Sequence, residues 1–445
     1  MPISLHGDGV PVTGVGRSWS KSYEALTWTS CVASGDTVSI FNFIVGLFKD
    51  AACVIDDKET WDEILKKLVW SFRALLRGEW PDRDDNGVLY RPGSQGYRRR
   101  RKPLCGEGPE KFKAVIVLTR ADLDFFFKSM HMQNFNLARE PCNPCNHCNA
   151  NVSTRSWRDL REAAACFLTC WTAESWNAQF APHPCHLFEL EGFTIYNLLP
   201  DLMHTNHLGN DQQMLGSTLH FLIHHVMPGG AASENMKTVV GQCKAFWRLN
   251  PTPNRFQDIK LSMLRSSTAY PTLKGRAAEI KHLVRALRDV WSIHREENRA
   301  SDEYVLHAQI ALLLQKFDEM DSVLDAHDPI NYPCLPPGPQ ADFEKACWDA
   351  MAIMNFLGHF FTYVRPMPLF KITIKTHHLG HIAMYSRFIN PRLAICYAGE
   401  DYMRLIKGVT QSAIRGNSIT RAAWKISEKV MYSMHVRWPK ETWFR

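Results

Sequence analysis

The segment KAVIVLTRADLDFF, residues 113–126, constrains the fold most. Its apolar, β-branched run lacks polar alternation, so a strand here must be covered on both faces, as in a sheet flanked by helices. The strand would end at Asp122, which leaves a carboxylate at the end of a buried element. A second carboxylate, Asp8, sits near the end of another short apolar run, ISLHGDGV, residues 3–10. The glycines around it do not make a nucleotide loop. Gly9 and Gly14 have the separation of a phosphate-cradling loop, but Val15 and Gly16 stand where Lys and Ser or Thr are required. The dinucleotide pattern fails at Pro11 and Val12, with no helix-forming run behind them.

Residues 23–30 and 37–45 (TVSIFNFIV) read as two further strands. In KETWDEILKKLVWSFRALLRGEW, Trp61, Ile64, Leu65, Leu68, Phe72 and Leu75 recur at helical spacing. Three strands, a helix and a buried fourth strand therefore fill the first 122 residues. The 45% hydrophobic and 22% charged composition of the 445-residue chain suits a globular protein with a sizeable core. A net charge of +7 permits a polyanionic partner without demanding one. The 13 cysteines, an odd number without a signal-peptide-like start, predict free or metal-bound thiols in a reducing compartment. No run approaches 18 apolar residues, so no membrane span is expected.

The stretch LAREPCNPCNHCNANVS carries Cys142 and Cys145 as C-x-x-C. Such a pair presents two thiolates to one tetrahedral Zn²⁺ and leaves half the shell open, although the same motif also serves redox chemistry. His377 and His381 would share a face of a helix and can close the shell, with His378 the alternative to His377. Cys148 and His147 read as neighbours rather than ligands. Glu400, beside its rival Asp401, opens the helical pattern Met403, Leu405, Ile406, Val409. A structural zinc on Cys142, Cys145, His377 and His381 would tie the segment after Asp122 to the segment before Glu400.

The strand order matches the first half of an RNase H-like fold, where one carboxylate lies on the first strand and another just past the fourth. Asp8 and Asp122 take those places, and Asp124 competes with Asp122. The succession Asp, Asp, C-x-x-C, paired His and Glu resembles the DDE transposases of the CACTA and Transib type and the related catalytic subunit of the V(D)J recombinase. The block IYNLLPDLMHTNHLGNDQQ, with Asp201 and His204, looks like the D-x-M-H block of the CACTA-type enzymes, though both residues could equally cap a helix.

The resemblance implies an α/β, RNase H-like mixed sheet interrupted by a large all-α insertion. The core would occupy residues 1–205 and 371–445, and the insertion residues 206–370. Catalysis would rest on Asp8, Asp122 and Glu400 holding two Mg²⁺ or Mn²⁺ ions. The implied partner is DNA, as transposon ends and target, bound by a homo-oligomer in the nucleus. Such transposases carry an end-binding region ahead of the catalytic strand, whereas this chain starts almost on that strand. The alternative reading is thus a catalytically inactive or domesticated zinc-stabilised module that binds DNA or protein.

Residues 151–370 read as largely helical, beginning with SWRDLREAAACFLTCW. HLFELEGFTIYNLL, residues 186–199, reads as a fifth strand, and PCLPPGPQ as a linker. The basic run Arg98, Arg99, Arg100, Arg101 and Lys102 reads as a solvated loop or as a phosphate clamp ahead of the strand bearing Asp122.

Overall fold

Strand β1, Pro2–Pro11, is paired along both edges. Its neighbours are β2, Ser22–Ser30, in antiparallel register, and β4, Val115–Arg120, in parallel register. With β3, Asn42–Leu47, outside β2, the sheet order is β3-β2-β1-β4. Parallel pairing requires a crossover, and the helix Lys58–Arg77 lies in the connection between β3 and β4. The protein is thus mixed α/β with a small mixed sheet, four-stranded among the described residues. This computed structural model describes residues 1–12, 22–35, 37–48, 58–105, 112–135, 137, 143–264, 270–414 and 416–437.

Side chains alternate across β1 as a strand requires. Ile3 and Leu5 join Trp61, Leu65, Val69, Phe125 and Phe126 in one core. Val10, with Tyr23 and Ala25 of β2, joins Tyr402, Met403 and Ile406 of the helix Tyr397–Ile414 in another. Both faces of β1 are covered; β4, at the sheet edge, buries Ile116 and Leu118 but leaves Val115 exposed, so the expected cover on both faces of residues 113–126 is met only in part. A Cβ on Gly7 would overlap the Phe125 ring, and one on Gly399 would overlap the ring of His6. These two glycines let a helix close on each face of β1.

The chain divides into two compact units. One holds the sheet and consists of Met1–Arg139, Trp171–Leu199 and Ala394–Arg445. The other, Glu140–Cys170 with Pro200–Leu393, is helical. It contains Asp211–Phe221, Ala232–Leu249, Ala277–His294, Tyr304–Ala326, Pro337–His359 and Ile374–Tyr385. His377 and His381 belong to this helical unit, Glu400 to the sheet unit.

Four expectations need correction. Residues 186–199 are not a fifth strand but two 3₁₀ turns, His186–Glu189 and Ile195–Asn197. Gly192, at φ 81°, and a capping box between Thr194 and Asn197 turn the backbone there. The Asn197 amide then donates to the Ile116 and Val117 carbonyls, 3.2 and 2.9 Å away, on the backbone of β4 itself. The long helix expected in SWRDLREAAACFLTCW shrinks to Ala165–Leu168. Around its start the Asn151 side chain accepts from the backbone N–H groups of Ser153, Thr154 and Arg155, and Asp159 from that of Arg161, bonds that compete with helix. Thr37–Ile40 is a helical turn, so β3 begins only at Asn42. Finally, PCLPPGPQ is only partly a linker, because Pro337 opens a helix, a position where its missing N–H costs nothing.

Gly7→Ala should destabilise the sheet unit by about 1–3 kcal/mol through overpacking against Phe125. Urea unfolding measures this, and adding Phe125→Leu should recover part of the loss.

Candidate metal centre and carboxylate site

In the helical unit Cys145, Cys148, His377 and His381 are all buried, and one donor atom from each lies within 4.8 Å of all the others. The two histidines are one turn apart on the helix Ile374–Tyr385, so their rings leave the same face. The distances are 3.2 Å between the two Nε2 atoms, 3.3 Å from Cys145 Sγ to His381 Nε2, and 3.3 Å from Cys148 Sγ to His377 Nε2. A tetrahedral ion with Zn–S near 2.3 Å and Zn–N near 2.0–2.1 Å would space such donors by roughly 3.3–3.8 Å. The four side chains therefore fit a metal ion such as zinc with little movement.

The surroundings hold these ligands in place. The backbone N–H of His147 donates to Cys145 Sγ at 3.4 Å, which folds the C-x-x-C turn around its first sulfur. Phe167 stacks on His377 with ring centroids 4.8 Å apart. Cys170 Sγ lies 3.7 Å from His381 Nδ1, behind the coordinating edge of that ring. His147 is not in the group; its Nδ1 pairs with the Tyr385 hydroxyl at 3.1 Å, and burial lowers its pKa to about 3.

Charge is already separated in the group. Burial alone would raise the Cys145 thiol, but the Cys148 thiol and the His381 and His377 rings bring it well below its usual value. Sharing that proton raises Cys148, and burial raises it further. Burial would lower His377, but the Cys145 sulfur outweighs this and lifts it to about 9. Without an ion the pocket thus favours a thiolate beside an imidazolium, and an ion bound there would displace protons.

The group shares Cys145, His377 and His381 with the expected set. CNPCNHC contains two overlapping C-x-x-C pairs, and among the described residues the group holds the second, Cys145 and Cys148. Reading Cys148 as a mere neighbour is corrected; Cys142 lies outside the described residues. His378 is buried on the same helix but is not in the group.

In the sheet unit the β1–β4 register places His6 opposite Arg120. Asp8 and Asp122 each follow two residues later, Asp8 inside β1 just past its pairing with β4 and Asp122 just past the end of β4. Asp122 caps the helix Leu123–Ser129, its Oδ1 accepting from Phe125 N at 2.7 Å. Its rival Asp124 is on the flank of that helix, paired with Lys128 at 2.6 Å. Asp8 accepts from Gly9 N at 2.7 Å. Glu400 lies in the first turn of the helix Tyr397–Ile414, next to Gly399, which packs on His6 of β1. His6 and Asp8 point to the same face of β1, so that turn lies along the Asp8 face. Asp401 is exposed and pairs with Arg404 at 3.1 Å. Among the described residues Asp8, Asp122 and Glu400 are not a group whose donors all lie within 4.8 Å.

Sequence reasoning missed Glu24. It is 8% exposed on β2, opposite Gly9, and accepts from Ser129 Oγ at 2.7 Å. A glutamate inside the apolar run SYEALTWTS was the available signal. The Asp124 hydrogen bond and charge, with those of Glu24 and Asp122, raise the Lys128 pKa against the opposing effect of burial. Glu24, Asp122 and Asp124 thus gather around Lys128.

Asp201 caps its own helix, accepting from Met203 N and His204 N at 3.0 and 3.1 Å, and its Oδ2 lies 2.6 Å from His204 Nδ1. Burial would raise the Asp201 carboxyl, but His204 and those N–H groups hold it below its usual value. In the basic run Arg99 lies over Trp80 and Arg100 over Tyr97, Arg98 donates to the Gly93 carbonyl, and Arg101 pairs with Asp82. These contacts fasten the loop to itself; Lys102 is exposed.

No known protein family matches the chain, and no curated protein matches it.

Purified protein should carry a tightly bound metal ion by elemental analysis. Cys148→Ser or His381→Ala should lose it, whereas Cys142→Ser should retain it, because four donors are present without Cys142.

Proposed function

We propose that the chain is the catalytic part of a metal-dependent phosphodiester-cleaving and strand-transferring enzyme of the DDE transposase type, on an RNase H-like sheet. The observation that carries this reading is the parallel pairing of β1 with β4, which ends at His6 opposite Arg120 and leaves Asp8 and Asp122 each two residues beyond it on neighbouring chains. The first turn of the helix bearing Glu400 lies on the same face of β1 as Asp8, which supports Glu400 as the third acid. Mg²⁺ or Mn²⁺ fits a set of carboxylate oxygens. A pair of such ions, when bound, supplies activation of the attacking oxygen and neutralisation of charge on the leaving one.

The residues of the chain then have distinct tasks. Asp122 keeps its rotamer through the cap to Phe125 N, so its carboxylate is oriented before substrate arrives. Asp8 is fixed by its strand, and Glu400 comes from a helix anchored through Tyr402, Met403 and Ile406. The exposed Lys102 and the guanidinium edges beside it would contact DNA phosphates without reading sequence. Zn²⁺ on Cys145, Cys148, His377 and His381 is structural in this reading, since four protein donors leave no open position for substrate.

The inactive-module reading is favoured by one observation: the three acids do not converge on a single ion-sized point. Metal-dependent nicking of supercoiled plasmid separates the two. Asp8→Asn and Asp122→Asn should lower the nicking rate by about 10²-fold or more, the scale of removing one charge-stabilising group from an active site. Asn caps a helix as well as Asp does, so Asp122→Asn keeps the fold. Asp124→Asn and Asp401→Asn should cleave at the parent rate. No Mg²⁺- or Mn²⁺-dependent nicking by the parent protein would leave the binding-module reading standing.

A further inference from the structure

The helical unit holds a second buried group of donors, and it contains no cysteine. His207 and Asp211 are four residues apart, where the π-helical turn Met203–Asn210 runs into the helix Asp211–Phe221. Asp321 reaches them from the helix Tyr304–Ala326, and one donor atom from each of the three lies within 4.8 Å of the others. His207 Nε2 and Asp321 Oδ1 are 3.1 Å apart. His207 and Asp211 are each 1% exposed, and the Asp321 side chain 14%. π-Turns of this kind recur at functional sites, because the widened turn redirects a side chain.

Asp211 makes this more than an ion pair. Its Oδ1 is buried and has no hydrogen-bond partner. A carboxylate buried without a partner is unfavourable, so the site calls for a proton or a cation. Burial pushes the Asp211 carboxyl up to about 7, opposed by His207 and Lys281. Lys281 itself pairs with Asp325 at 2.7 Å. Burial keeps the nearby His282 below its usual value, so it adds little positive charge. Asp321 faces His207, whose pKa its charge and hydrogen bond raise against burial, and Asp325 faces Lys281, so the buried Asp211 oxygen is the donor left without a partner for a cation to meet.

We propose that His207, Asp211 and Asp321 form a buried site for a first-row divalent cation that pins the His207–Asp211 segment to the helix Tyr304–Ala326. One imidazole and two carboxylates are a mixed nitrogen and oxygen set that suits Mn²⁺ or Zn²⁺. Donor bonds of about 2.0–2.2 Å bring a nitrogen and an oxygen on one ion to roughly 3.0–3.4 Å, which the 3.1 Å separation matches. The burial closes the site to substrate, so the ion acts as a cross-link; the partly exposed Asp321 marks its entry.

The test uses the full chain with a single equivalent of zinc, which the four-donor thiolate centre takes up, and with Asp8→Asn and Asp122→Asn in place, so that neither the cysteines nor those acids compete for the probe and no zinc is left for the His207 group. Mn²⁺ is added and followed by electron paramagnetic resonance. One tightly bound Mn²⁺ with a histidine-nitrogen coupling is expected. His207→Gln should abolish that coupling, and Asp211→Asn and Asp321→Asn should weaken binding by at least about 10²-fold, since they remove ligands whose supporting partners alone are worth 10–100-fold. Circular dichroism identifies any variant that fails to fold, and the remaining variants decide. The absence of tight Mn²⁺ in the parent, or binding unchanged by every variant, would overturn the site in favour of a protonated Asp211 beside a His207–Asp321 ion pair.

Discussion

The pairing of β1 on both edges is the constraint on which the sheet unit depends. A strand bonded on two sides and packed on two faces has nowhere to expose polar groups except at its ends. Asp8 falls near one end, beyond the last residue paired with β4. β4, bonded to β1 at the sheet edge, ends at Arg120, two residues before Asp122. The carboxylates gather there because buried strands admit charge only where they leave the core. Glu24 is the exception that the helix Leu123–Ser129 makes possible, by meeting its carboxylate with the Ser129 hydroxyl.

The helical unit solves a different problem. It buries polar side chains in its interior, and each needs a partner to offset the loss of water. Cys145, Cys148, His377 and His381 find partners in one another, over sequence separations of 229 and 236 residues. His207 finds Asp321, while one oxygen of Asp211 has no hydrogen-bond partner. Breaking a buried polar group away from its partner is strongly destabilising, so such clusters also fix which helices meet.

The sequence showed the sheet well because periodicity and burial are local signals. The apolar run at 113–126 and the helical spacing from Trp61 to Leu75 reflect neighbours that any such strand or helix must have. The fifth strand was misread because HLFELEGFTIYNLL has the composition of a strand, while Gly192 and the Thr194–Asn197 box act through backbone conformation. The thiolate pair was half legible. Two C-x-x-C pairs overlap in CNPCNHC, and only the position of the histidines in space brings Cys148 into the group with Cys145. His207, Asp211 and Asp321 were invisible for the same reason, since Asp321 lies on a helix that nothing in the sequence pairs with the other two.

What distinguishes the two kinds of site is how far each is organised before an ion arrives. The sulfur and nitrogen donors already stand about one coordination edge apart, so binding there needs little rearrangement and favours a closed, structural role. The acids of the sheet unit are positioned by strand ends and by a helix cap, yet Asp8 and Asp122 each still accept a backbone N–H. A carboxylate has lone pairs enough to keep such a bond and also ligate an ion. An ion held by such acids would keep several waters, as hard cations do, and those open positions are where a phosphodiester oxygen could enter. A site that closed fully on its ions would hold them more tightly and leave no place for a substrate; looser organisation is therefore what the proposed catalytic role requires.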